Sequence, residues 1–286
     1  MITLFFCPKP FTGEVNIIQR NAIKSWQALH PEPEIILIGN EPGAEELCRE
    51  FDILHIKEVE RNEYGTPLVS SLFKKAQGRA SYDVLCYINA DIMLADNFME
   101  AVKLAKDWKD RFLMVGKRLD VRINEEFDPH VSVWIEKIKS HSIKNGRLHA
   151  CTGIDYFIFK KGIFLDIPDF SIGRPCWDGW LVYQARHSNI PVIDATSKIL
   201  AIHQNHQYNN NVFDKNGKWN WSERQIGRNL ELSNGLIRDI SNATHRIKNN
   251  RICRRKVYLW LEPGIIFLKN IIKTIKLYFK TTKDKR

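Results

Sequence analysis

VLCYINAD, residues 84–91, is the stretch that decides how this chain is read. Five apolar, β-favouring residues give way abruptly to Asn89, Ala90 and Asp91. A short apolar run closed by polar residues marks a buried central strand that delivers side chains to its C-terminal edge. Open α/β sheets bind ligands at that edge. Side chains two apart on a strand point the same way, so Asn89 and Asp91 are expected to face one ligand together. A carboxylate and an amide oxygen suit a hard divalent cation, which takes oxygen ligands. Asp91 is equally suited to capping the helix expected after Leu94.

On the N-terminal side the pattern alternates strand and helix. Residues 2–6 (ITLFF) read as a strand that Pro8 and Pro10 bring to an end. Val15, Ile18, Ala22, Ile23 and Trp26 recur at helical spacing, and Pro31 and Pro33 close that segment. A strand is expected at 35–38, a helix from Glu41-Pro42 to Phe51, and a short strand at 53–56. Leu68, Leu72, Phe73 and Ala76 form the apolar face of a further helix, with Thr66 as its cap and Pro67 in its first turn. Beyond Asp91 the spacing predicts a helix over 97–108 and a strand over 112–116. The first 116 residues therefore read as a doubly wound, mostly parallel sheet. Neither a GxGxxG fingerprint nor a GxxxxGK[ST] loop is present to indicate a dinucleotide or NTPase site.

The second half is less regular. Residues 120–143 are mixed, with a helix around 134–138, and a strand is expected at 156–159. A turn-rich loop, 171–180, leads into a helix over 181–186, and short strands follow at 191–193 and 199–202. The last of these ends at His203-Gln204-Asn205-His206, and Asn209-Asn210-Asn211 reads as an exposed loop.

Charge is segregated. The net charge is +10, yet residues 246–286 hold thirteen lysines and arginines against two acids, so residues 1–245 lie within one charge of neutral. A near-neutral body argues against a basic nucleic-acid groove, and the tail lacks aromatic interleaving on a β platform. No nucleic-acid partner is expected. The natural division is a body of residues 1–245, in two halves (1–116 and 117–245), followed by a basic tail. Within that tail Ile265, Leu268, Ile272, Ile275 and Phe279 share one helical face, and Lys269, Lys273, Lys276 and Lys280 fall opposite. Such a helix lies in an anionic headgroup layer, each basic residue adding about 1 kcal/mol, or else packs on the body or a partner. The six cysteines are scattered without CxxC pairs, and ITLFF follows Met1 without a signal-peptide pattern. Reduced thiols and a cytoplasmic location, peripheral at the inner face of the membrane, are the expectation.

The order of strand, helix, strand, helix, then INAD (88–91), WDGW (177–180) and HQNH (203–206), resembles the GT-A fold glycosyltransferases, specifically the nucleotide-sugar-dependent, family 2-like enzymes. The resemblance covers about residues 1–210. It implies an α/β, Rossmann-like sandwich and transfer of a sugar from a nucleotide donor to a glycan or lipid-linked acceptor, in surface polysaccharide or glycoconjugate synthesis. In that family an Asp-x-Asp motif binds Mn2+ or Mg2+ on the donor diphosphate. Here the motif is Asn89-Ala90-Asp91, with an amide in place of the first acid, and Asp91 is the expected ligand. A late histidine often completes the ion's shell in that family: His203 is the candidate and His206 its rival, although a histidine here also suits a purely structural role. Asp178 matches the acid that serves as base in inverting enzymes, with Asp155 as second choice. Trp177 and Trp180 are either faces for an acceptor sugar or core residues beside an N-cap. For the donor, the resemblance points to Pro8, Lys9, Arg61 and Thr66, with Lys117 and Arg118 meeting phosphate oxygens. A sugar nucleotidyltransferase fits less well, because CPKPFTG (7–13) is a poor match to its Gly-rich loop. A non-catalytic nucleotide-sugar-binding scaffold is the other alternative, and Asn89 is what suggests it.

Overall fold

The computed structural model describes residues 1–95, 97–123, 125–126, 133–206, 212–213 and 219–255. The expected tail helix (265–280) and the Asn209–Asn211 loop lie outside them. Residues Met1–Arg254 form one compact unit.

The parallel core starts with β1 (Thr3–Phe6), β2 (Glu34–Ile38), β3 (Leu54–Ile56) and β4 (Val84–Ile88). These four are joined by right-spaced crossovers: α1 (Gly13–Gln27), α2 (Ala44–Glu50) and α3 (Val69–Arg79). Then come β5 (Ile92–Leu94), α4 (Asn97–Trp108), β6 (Leu113–Val115), β7 (Arg118–Val121), α5 (Val133–Asn145), β8 (Arg147–Leu148) and β9 (Tyr156–Lys160). After α6 (Trp177–His187), β10 (Val192–Asp194) and β11 (Ala201–Gln204), helix α7 (Arg224–Ser233) precedes the hairpin β12 (His245–Lys248) and β13 (Arg251–Arg254).

Two sheets result. The larger has nine strands in the order β13-β12-β10-β6-β9-β4-β1-β2-β3, and the smaller has four, β5-β11-β7-β8. Five of the eight pairings in the large sheet are parallel, so it is a mostly parallel α/β sheet as expected. Its two faces are dressed differently. Leu4 and Phe6 point into a cluster with Trp26 of α1 and Phe98 of α4, whereas Phe5 points into a cluster with Phe73 of α3 and Leu181 of α6. This period-two split explains why strands buried on both faces read as continuous apolar runs. Phe73 is the hub of the second face, with Phe5 edge-on at 5.1 Å and Tyr87 and Phe159 stacked at 5.7 and 5.5 Å.

Several local expectations are corrected. Thr66 does not cap α3: Pro67 and Leu68 bridge to Arg61 and Ser171 in extended conformation, so Leu68 is the N-cap and the helix waits until Val69. Asn89 and Asp91 do not share a strand, because the chain turns after Ile88, closed by Ile92 N–H donating to Asn89 C=O at 3.1 Å, and restarts as β5 in the other sheet. Helix α6 begins at Trp177, four residues ahead of the expected start, placing Asp178 in its first turn. His203 lies within β11 and not beyond it. The hairpin β12–β13 joins the large sheet beside β10, which carries the body past residue 245 to Arg254. Among the described residues no helix is long and apolar enough to cross a membrane.

Candidate functional site

The turn Asn89–Asp91 is where the two sheets meet. It is fixed from several sides: Asn89 N–H donates to Asp155 C=O (2.9 Å), Gln204 N–H to Asp91 C=O (3.2 Å), and Trp26 Nε1–H to Ile92 C=O (2.8 Å). Buried Gln204 also donates to Ile18 C=O and accepts from Asn21, tying β11 to α1. With that frame in place, pairing sets the side chains. His203 lies opposite Ile92 of β5 on one side and Asp120 of β7 on the other.

Asp91, His203 and His206 converge, each offering a ligand atom, all within 4.8 Å of one another. Asp91 Oδ2 is 3.6 Å from His203 Nε2 and 3.2 Å from His206 Nε2. The other oxygen, Asp91 Oδ1, is buried with no hydrogen-bond partner among the described residues. Such an orphan is costly unless something satisfies it. A carboxylate plus two imidazoles, with one oxygen left over, fits Mn2+ or a similar divalent cation, whose shell accepts both oxygen and nitrogen. Burial alone would raise the Asp91 carboxyl, but hydrogen bonds from both histidines and the charges of His203 and Lys9 hold it well below the usual range. His203 shows the reverse balance: burial disfavours its charge, yet Asp120 and Asp91 flank the ring and push it up to about 9.

Behind this cluster runs a chain of charged side chains that the sequence did not reveal. Asp120 Oδ1 is 3.2 Å from His203 Nδ1 and accepts from Arg118 Nε at 2.8 Å, while Asp120 Oδ2 sits 2.6 Å from His149 Nδ1. Arg118 Nη1 then donates to both oxygens of Asp155, at 2.8 and 2.9 Å. Arg118, expected at a donor phosphate, is thus engaged by two carboxylates instead. The one available signal was the i, i+2 spacing of Arg118 and Asp120, which was too common to stand out before the pairing of β7 with β11 was known.

Asn89 faces away from Asp91. Its amide donates to Asp155 Oδ1 at 2.7 Å and its oxygen accepts the Tyr87 hydroxyl at 2.8 Å. Asp178, in the first turn of α6, is pushed up to about 6, chiefly by burial and by the charge of Asp155, against backbone N–H groups of Gly179, Asp178 and Cys176 that pull it down. Cys176 at its N-cap holds a φ of 89°, a strained region for a residue with a side chain. Gly179 is dictated by space, since a Cβ there would lie 2.9 Å from Arg238 C=O. Trp177 and Trp180 correct the expectation of a sugar platform. They are 5% and 8% exposed, Trp177 against Tyr87 and Phe157 and Trp180 against Phe170, so their rings pack the core.

The remaining donor candidates lie on loops at the same sheet edge. Pro8 is buried and Lys9 exposed, with the Lys9 backbone clamped by Gln19 through two hydrogen bonds. Arg61 donates to Gly65 C=O and to Glu41, and Thr66 N–H donates to Asn62 Oδ1. Lys117 N–H donates to Thr196 Oγ1. A groove of about 700 Å³ runs past the ends of β2 and β3, lined by Asn40, Glu41, Lys57, Arg61 and Lys75 among others; none of Asp91, His203 or His206 lines it.

No protein-family model and no curated protein matches the chain. Among solved structures it is similar to TarS of S. aureus in complex with UDP-GlcNAc, at 11% identity, covering 73% of this chain and 60% of that one, with a TM-score of 0.46. It is also similar to the mannosyltransferase PcManGT of Pyrobaculum calidifontis in complex with GDP-Man and Mn2+, at 11% identity, 73% and 58% coverage and a TM-score of 0.47. A third is glucosyl-3-phosphoglycerate synthase of Mycobacterium tuberculosis in complex with Mg2+ and UDP, at 12% identity, 84% and 80% coverage and a TM-score of 0.48. The chain spans about three-fifths of the length of the first two. At such identities and TM-scores these neighbours assign no chemistry, which has to come from the side chains.

The Asn89–Asp155 contact yields a test. Asn89→Asp would set two carboxylates at hydrogen-bond distance, and one of them must then hold a proton. The variant is expected to lose about 1–3 kcal/mol at pH 8, equivalent to a carboxyl raised by one or two units. That loss should shrink as pH falls below about 6 and largely vanish near pH 4. Urea denaturation at both pH values checks it, and an equal loss at each would refute the repulsion.

Proposed function

We propose that this chain is a metal-dependent glycosyltransferase that moves a sugar from a nucleotide donor to a glycan or lipid-linked acceptor, with inversion. The observation that carries the reading is the convergence of Asp91, His203 and His206 at the C-terminal end of β4, with Asp91 Oδ1 left over. These three residues would hold a Mn2+ or Mg2+ ion. When bound, the ion offsets the charge that develops on a departing nucleoside diphosphate.

The chain's own residues supply the rest. Lys9 is exposed, and its charge is felt at Asp91, so it serves to bind donor phosphates. The groove beside β2 and β3 offers Asn40, Lys57 and Arg61 to the nucleoside. Asp178 takes the proton of the acceptor hydroxyl onto its carboxylate. A group raised to about 6 is still mostly ionised at pH 7, and it is a stronger base than an ordinary aspartate. Asp155, ion-paired to Arg118, holds Asn89 and raises Asp178 by its charge. Acceptor choice and a role in polysaccharide or glycoconjugate synthesis rest on the motif order alone, and the peripheral membrane location rests on the basic tail.

Mn2+ together with the right UDP-, GDP- or CMP-sugar is expected to raise the melting temperature of the wild type and to support slow donor hydrolysis. Asp91→Ala should abolish both, whereas hydrolysis unchanged in that variant would remove Asp91 from the chemistry. Stabilisation without any turnover would make the protein a binder of nucleotide sugars.

The pH profile tests the base. Its raised pKa means that the active, deprotonated form is lost as pH falls through about 6. Below that point kcat/KM should drop about tenfold per unit. Asp178→Asn is expected to lower kcat by roughly 10²–10⁴-fold and to erase this limb; a persisting limb would assign it to another group.

For the membrane, deleting residues 256–286 is expected to release the protein from phosphatidylserine vesicles in a flotation assay. Undiminished binding by the truncated chain would place the attachment elsewhere.

A further inference from the structure

His203 is 2% exposed and is held between two carboxylates, Asp91 at Nε2 and Asp120 at Nδ1. The second carboxylate is itself prebuilt. Asp120 Oδ1 also accepts from Arg118 Nε, and Oδ2 meets His149 Nδ1. The backbone sets up each contact: His203 and Asp120 are register partners in β11 and β7, Arg118 lies two residues earlier on β7, and His149 N–H donates to Arg118 C=O. Space is reserved as well, because a Cβ at Gly153 would stand 2.2 Å from the His149 ring. Asn205 Oδ1, at 3.3 Å, is a further oxygen near His203 Nδ1.

A neutral imidazole ligates a metal through one nitrogen while the other keeps its proton, and the partner of that second nitrogen fixes tautomer and ring angle. We infer that Asp120 is the positioning residue of the metal seat: it accepts a hydrogen bond from Nδ1–H of His203, aims Nε2 at the point shared with Asp91, and is itself locked by Arg118 and His149. The inference rests on the proposed metal role of Asp91, His203 and His206. Asp120 meets His203 at Nδ1, the nitrogen that is not turned toward Asp91. It acts by keeping His203 in the one tautomer and orientation that ligates, which an amide does not enforce because it can offer Nδ1 either a donor or an acceptor.

The test is Mn2+ binding to EDTA-treated full-length protein by titration calorimetry, wild type against D120N. The dissociation constant is expected to rise about 10–100-fold in the variant, and its metal-free melting temperature to fall, since Arg118, His149 and His203 each lose a carboxylate. Co2+ then gives a readout that a general loss of stability would not move, since its d–d absorption is expected to shift in D120N as the histidine field changes. Should D120N melt early because Arg118 loses a partner, Asp120→Glu keeps a charge for Arg118 while shifting the carboxylate by one methylene, and a loss of Mn2+ affinity is again expected. Unchanged affinity together with an unchanged Co2+ spectrum in either folded variant overturns the positioning role and leaves the metal reading intact. Failure of the wild type to bind Mn2+ or Co2+ overturns both.

Discussion

A carboxylate largely withdrawn from water must be answered by positive charge or hydrogen bonds, and the architecture around Asp91 follows from that requirement. The side chain is only 19% exposed. Two imidazoles answer one of its oxygens, and a second acid behind one of them, His203, favours that ring's charged form. That second acid in turn draws on Arg118 and His149, and Arg118 ends on Asp155. The cost of burying each charge is passed along until it is spread over seven side chains. Removing one member would leave its neighbour unpaired, which is the expensive outcome.

The large sheet was legible because its strands are apolar on both faces and its crossover helices carry regular apolar stripes. VLCYI, ITLFF and the Leu72–Phe73–Ala76 face left little choice. Asp91, His203 and His206 were visible as polar breaks at the ends of such runs. The small sheet was not, because β5, β7 and β8 have three, four and two residues, too short for a pattern to show. Its partners also lie far apart in sequence, so the Asp120–His203 contact depends on a pairing register that no local signal announces. The same gap explains the misplacement of Arg118, which reads as a free cation until the strand beside it is known. Trp177 and Trp180 misled for a different reason. Aromatic residues flanking an acid look alike whether their faces meet a sugar or a Phe, and only burial separates the two cases.

Asn89 shows how a departure from a motif can carry information. An aspartate at that position would confront Asp155 across the 2.7 Å that the amide now bridges with a hydrogen bond. The amide is therefore the matching partner of an acid already held by Arg118. On the proposed metal reading, the histidines at the far end of β11 would supply the ligands that this amide does not.

His206 and Asp91 meet across 115 residues of chain. Few unfolded conformations bring segments so distant into contact, so Asp91, His203 and His206 exist as a set only after both sheets have closed. An ion seated among them would act as a removable staple across that long loop. It would fasten β11 to the turn after β4 while present, and on chelation it would free the small sheet to part from the large one first.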